Sequence, residues 1–303
     1  MNVTSIRFTL ILGAAIACAT AQSTIALAQT YRPSETAIRA DSATELTYAD
    51  LVDLALAAEL VTRAEVRSAV QLKARAVKNG LMKGNAGSAN VSDLAARVLI
   101  KARNSALLFG PALGETIQFL ADVPLNANGK LPRLSKLQVL VLGRTVPGKP
   151  GTLQLAAPDA MLRWTAEREN SLRAILTALS TPGAPPAITA LREALHVRGN
   201  LAGEGETQVF LTTANGDPVS LSILRRPEQR TTWGVSFTDI VDQAARPPEH
   251  DSLAWYRLAC ALPRELPKAA NISESAADRL IAAEDYAFVL ADLGQCARNR
   301  ANL

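Results

Sequence analysis

Arg63-Ala64-Glu65-Val66-Arg67-Ser68-Ala69-Val70-Gln71-Leu72-Lys73 is the stretch on which the fold turns. Ala64, Val66, Ser68, Val70 and Leu72 alternate with Arg63, Glu65, Arg67, Gln71 and Lys73. A period of two puts successive side chains on opposite faces, so this is a half-buried β-strand and not a helix. Val98, Ile100, Ala102, Ala106 and Leu108 repeat the pattern against Lys101, Arg103 and Ser105. Ile117, Phe119, Ala121, Val123 and Leu125 do so again. Residues 137–146 are apolar on both faces, as a central strand is, and Leu153 with Leu155 suggests one strand more.

Gly110-Pro111, Asn128-Gly129 and Pro147-Gly148 punctuate these runs, and residues 78–90 are rich in Gly and Ser, as a long loop would be. Five strands separated by turns imply a small antiparallel β-barrel-like unit of the OB or SH3-like kind. A helix over residues 47–59 precedes it, opened by Thr47 with Asp50 in a capping-box arrangement.

The second half changes character. Residues 166–180 carry Leu172, Ile175, Leu176 and Leu179 at helical spacing and stop before Pro182. Val209, Leu211 and Thr213 lead through Asn215-Gly216-Asp217 into Val219, Leu221 and Ile223, a β-hairpin signal, and Trp233, Val235 and Phe237 extend it. Asp251 is the expected cap of a helix through Leu258. Asn271 with Glu274 is the expected cap of another that runs to Gly294. The fold expected is therefore α+β, with a barrel-like half over 46–158 and, over 159–303, an α+β half holding a hairpin sheet and a terminal helical hairpin.

Ahead of both lies an address. Residues 1–28 have a polar start with Arg7, a twelve-residue apolar run from Phe8 to Ala19, and Ala26-Leu27-Ala28 before Gln29. That order is a secretory signal peptide cleaved after Ala28, its apolar run too short to span a bilayer. Residues 29–45 then form a mature leader. Ala15-Ile16-Ala17-Cys18 offers lipidation at Cys18 as a minor alternative. A periplasmic or secreted location follows, where Cys260 and Cys296 most simply pair. Their bridge closes a loop of about 37 residues and contributes roughly 3–4 kcal/mol in the chain-entropy account.

Charge is uneven along the chain. Residues 29–62 hold 2 basic and 6 acidic side chains, 63–150 hold 14 and 4, and 151–303 hold 15 and 18. Arg63, Arg67, Lys73, Lys101 and Arg103 fall on strand faces of the basic middle. They are the candidate binding residues, for an anionic envelope polymer or lipid headgroups. Nucleic acid is not expected, because stacking aromatics are scarce and the chain is exported. Nor is a nucleotide: Gly199, Gly203 and Gly205 lead into a strand, whereas a phosphate cradle opens a helix.

Catalytic candidates are few. His196 could act as a general base beside Glu204 or Glu206, and these three define an alternative reading as an envelope hydrolase. His250, between Glu249 and Asp251, reads as a solvated residue at a helix start. Carboxylate pairs occur at Glu284–Asp285, Asp239–Asp242 and Glu204–Glu206, without a motif that joins them. No metal site and no cofactor are expected, since the two histidines lack ligand spacing and no nucleophile elbow occurs.

The strings GNLAGEGETQVFL (199–211) and TTWGVSF (231–237), with Leu253-Ala254-Trp255-Tyr256-Arg257-Leu258-Ala259-Cys260, resemble a family of uncharacterised exported bacterial proteins with no assigned activity. The resemblance implies export and carries no catalytic residue over. The function expected is a non-enzymatic binding or scaffolding protein that contacts anionic envelope components through its basic β face.

Overall fold

The structure, a computed structural model, describes residues 46–72, 95–237 and 245–300. The signal peptide, Cys18, the 29–45 leader, Lys73, the glycine- and serine-rich loop and the Asp239–Asp242 pair lie outside these described residues. Among them the protein is α+β, with two antiparallel sheets and four α-helices.

Helix α1 (Tyr48–Ala57) starts where the sequence indicates. The Thr47 hydroxyl accepts from the Asp50 N–H, while Asp50 Oδ2 accepts from the Thr47 N–H at 3.0 Å. Two otherwise orphaned backbone donors are satisfied by one reciprocal pair. Strands β1 (Leu60–Gln71), β2 (Ala95–Phe109) and β3 (Thr116–Pro124) form a meander. Strand β4 (Gln138–Thr145) returns to pair with the free side of β1, and β5 (Leu153–Leu155) and β6 (Met161–Arg163) both pair with β4. The lateral order is β3-β2-β1-β4-β5. Beyond residue 158, then, β6 still belongs to this first sheet.

The sheet coils without closing into a barrel. β3 meets the residues just ahead of β5 at an isolated parallel bridge, Gln118 with Thr152, where the Gln118 N–H donates to the Gly151 carbonyl at 2.8 Å. With only three residues, β5 cannot run a ladder along β3. Coiling comes from irregularities in the β1–β2 pairing, where the register slips at three places, one of them between Val66 and Ser68. An extra residue bends its strand and increases the local twist. The concave face holds Val66, Val98, Ile100, Ile117 and Phe119, all buried. Full burial of one side chain such as Phe119 contributes roughly 1.5–3 kcal/mol.

Helix α2 (Ala166–Ser180) follows, capped by Thr165, and buries Leu172, Ile175 and Leu176. The second sheet is a plain meander in the order β7 (Ile188–Arg198), β8 (Gly205–Thr213), β9 (Val219–Arg225), β10 (Thr232–Ser236). The β8–β9 turn uses Gly216 at φ +85°, a conformation that costs glycine little, and the Thr213 hydroxyl donates to the Asp217 carbonyl at 2.6 Å. β7, which carries His196, is an edge strand of this sheet.

Helices α3 (Leu253–Ala259) and α4 (Ala276–Leu293) close the chain. Their caps are Ser252 and Ser275, not Asp251 and Asn271. A cap must directly precede the first helical turn. Asn271 instead lies alongside Ala194 of β7, and Asp251 sits at φ +56° ahead of the helix. Cys260 and Cys296 form a disulfide with Cα atoms 5.0 Å apart, stapling the end of α3 to the segment after α4. That segment returns to α1. The N–H groups of Asn299 and Arg300 donate to the Asp50 carboxylate at 3.1 and 3.2 Å, and Arg298 pairs with Asp53 at 2.6 Å. No helix among the described residues is long and apolar enough to cross a membrane.

Candidate functional site

Two places gather the residues that the sequence singles out, and they differ in exposure. The first is the convex face of the first sheet. Glu65 pairs with Arg103 across β1 and β2, Ser68 with Lys101, and Arg103 with Thr116 of β3. Arg67 is the extra residue of the slip between Val66 and Ser68, and it projects beside them.

Most of the positive charge here is answered locally. Glu65 accepts ion pairs from Arg67 at 3.0 Å and Arg103 at 3.5 Å, and Arg97 pairs with Asp122. Arg63 is drawn to the edge of α2, where it meets Glu169 at 3.1 Å and lies over the Trp164 ring. Lys101 is exposed and has no carboxylate partner among the described residues. Exposed pairs such as Arg67–Glu65 contribute little to stability, so their arginines remain available to a stronger anion.

Glu169 is the anchor that the sequence did not reveal. Burial works to raise its pKa. The Trp164 Nε1–H at 2.6 Å, with the Arg173 and Arg63 guanidiniums, outweighs burial and holds the carboxyl below its ordinary range. Nothing in the spacing of 63, 164 and 169 announces this cluster, because β6 and α2 must first be laid beside β1.

The second place is buried between the second sheet and α4. His196 and Thr207 are cross-strand partners on the face that α4 covers, and both are buried. His196 Nδ1 lies 2.8 Å from the Thr207 hydroxyl, which donates its proton to Asp285 Oδ2. A hydroxyl with its one proton committed must accept from the ring, so the hydrogen-bond network assigns the neutral Nδ1–H tautomer. Asp285 also accepts from Arg225 Nε at 2.6 Å. Burial lowers the His196 pKa from its ordinary value, only partly opposed by the carboxylates of Asp285 and Asp278.

This chain runs Arg225, Asp285, Thr207, His196. The hydroxyl stands between the acid and the imidazole, so the imidazole is not placed to take its proton. The other ring edge is closed off. A Cβ on Gly205 would stand 2.5 Å from His196 Cε1 and 2.6 Å from Nε2. Glycine is required at 205 so that the ring can lie flat against the strand.

Glu204 and Glu206 do not join His196. Glu204 folds back over its own turn, accepting from the Leu201 N–H at 3.2 Å, and Glu206 accepts from the Gln208 side chain. Glu206 alternates with Thr207 along β8 and so faces away from the histidine. His250 is exposed beside Asp251, its ring against Trp255. Glu284 and Asp285 converge on Arg225. Among the described residues no three His, Cys, Asp or Glu side chains gather as a metal ion would need.

No protein-family model matches the chain, and no curated protein matches it.

Proposed function

We propose that the protein is exported by cleavage after Ala28 and acts as a binding protein, without catalysis, that holds anionic components of the cell envelope on the convex face of its first sheet. The observation that carries this is the placement of Arg67, Lys101 and Arg103 on adjacent strands of one exposed face, with Lys101 unpaired among the described residues. The Cys260–Cys296 bridge supports an oxidising compartment. A coiled sheet in the order β3-β2-β1-β4-β5, with an isolated parallel bridge from β3 to the residue just ahead of β5, supports an OB-like arrangement. In that architecture the face of the second and third strands is the customary ligand surface.

Replacing Arg67, Lys101 and Arg103 by Glu is expected to abolish salt-sensitive retention on envelope fractions and on dextran-sulfate beads. Arg63 is left native, because it supports Glu169. Unchanged retention would overturn the proposal. Amino-terminal sequencing of the exported chain should begin at Gln29. The hydrolase alternative finds no support, since Glu204 and Glu206 turn away from a histidine that is itself enclosed.

A further inference from the structure

The same convex face carries an apolar row that ionic contact alone does not explain. Val70, Leu99 and Leu120 are cross-strand partners in a line over β1, β2 and β3. Val70 is 57% exposed and Leu120 43%, and Leu72 beside them is 41% exposed. Lys101 with Gln118 forms the neighbouring row on one side, and Arg97 with Asp122 the row on the other. Arg67 and Arg103 lie beyond Lys101, so positive charge borders the apolar row on that side, while on the other side Asp122 holds Arg97.

The exposure of Val70 is built in by the backbone. Strict alternation from Val66 would place Val70 on the buried face, with Ala64 and Val66. The extra residue at Arg67 reverses the faces, so that Ala69 turns inward against Ile100 and Val70 turns outward against Leu99. Leu120 stands out from the next strand at the same level. Because Ile100 and Phe119 fill the buried side, the row lies on the opposite, solvent-facing side of the sheet.

From this geometry we infer that the anionic component is a lipid bilayer surface: Val70, Leu99 and Leu120 enter the interfacial layer while Arg67, Lys101 and Arg103 meet headgroup phosphates. The inference rests on the binding face proposed above. An exposed apolar row with cations along one flank matches an anionic, deformable interface, with apolar contact and headgroup attraction acting together. A hydrophilic polymer would use the cations and leave the apolar row in water.

The test is sedimentation of the mature chain with vesicles of phosphatidylcholine alone or mixed in equal parts with phosphatidylglycerol, beside retention on dextran-sulfate beads. Binding is expected to the mixed vesicles and not to phosphatidylcholine alone. Lys101→Glu should weaken it by at least about fivefold. Val70→Ser with Leu120→Ser should weaken vesicle binding on the order of tenfold and leave bead retention unchanged. Both positions face solvent, and an unaltered thermal midpoint confirms that the serine variant is folded. Absence of vesicle binding, or a serine variant that binds vesicles as well as the native chain, or one that loses beads and vesicles equally, would overturn the lipid inference. If bead and envelope retention still depend on the cations in any of these cases, the binding proposal stands without it.

Discussion

The two sheets use the same alternating pattern to opposite ends. In the first, the polar set of β1 and β2 looks outward, where Arg67, Arg103 and Glu65 form exposed pairs that salt and competitors can loosen. In the second, α4 is laid over the polar positions His196 and Thr207. These must then be satisfied internally, through Asp285 and Arg225. An exposed charge contributes little to stability and remains free to bind, whereas an enclosed one cannot lose its partner without a large cost to the fold and is lost to ligands.

The comparison is broken most severely at Asp285. Asp285→Ala leaves the Thr207 hydroxyl and the half-buried Arg225 without their shared acceptor, and is expected to cost about 3–5 kcal/mol in urea unfolding. A loss below about 1 kcal/mol would show that the network does not anchor α4. Replacing Cys260 and Cys296 together by Ser should cost roughly 3 kcal/mol, measured the same way, and should loosen the contacts of residues 298–300 with α1. Gly205→Ala must displace the His196 ring, for a loss of about 1–3 kcal/mol in the thermal midpoint analysis.

Acidity separates the two regions by pH window. The pKa of His196 is lower in the folded chain than in the unfolded one, so its contribution is fully present above about pH 6.5 and is lost as pH falls below it. Glu169 and Asp50, held below their ordinary values despite burial, contribute above the usual carboxylate range, and theirs is lost as pH falls through it. Unfolding followed from pH 8 to pH 3 should therefore show an early decline that Asp285→Ala alters, and a later one that it does not. The smallest effect belongs to the exposed face: Lys101→Glu should change stability by less than about 0.5 kcal/mol.

Strand positions were legible where the backbone is regular. β3, β4, β8 and β9 follow their apolar spacing, α1 begins at the threonine that the capping pattern marks, and α2 covers the residues its apolar spacing indicates. Legibility failed at Arg67. One extra residue reverses the faces, and nothing in the order of side chains marks where a bulge falls. It failed again at His196: the apparent partners Glu204 and Glu206 are near in sequence, while the real ones, Thr207 and Asp285, are set by a pairing and by a helix nearly ninety residues on. Glu169 was invisible for the same reason.

Local order thus decided what local order controls: the period of each strand, the capped start of α1, the glycine-permitted turn at Gly216, and the supply of two cysteines to pair. Those properties depend on neighbours within a few residues, where steric and hydrogen-bonding preferences act directly. Tertiary structure alone decided which polar face would be covered. That choice depends on the bulge that coils the first sheet and on α4 closing over the second. By covering His196 and leaving Lys101 and Val70 open, it made one alternation a buried network and the other a surface.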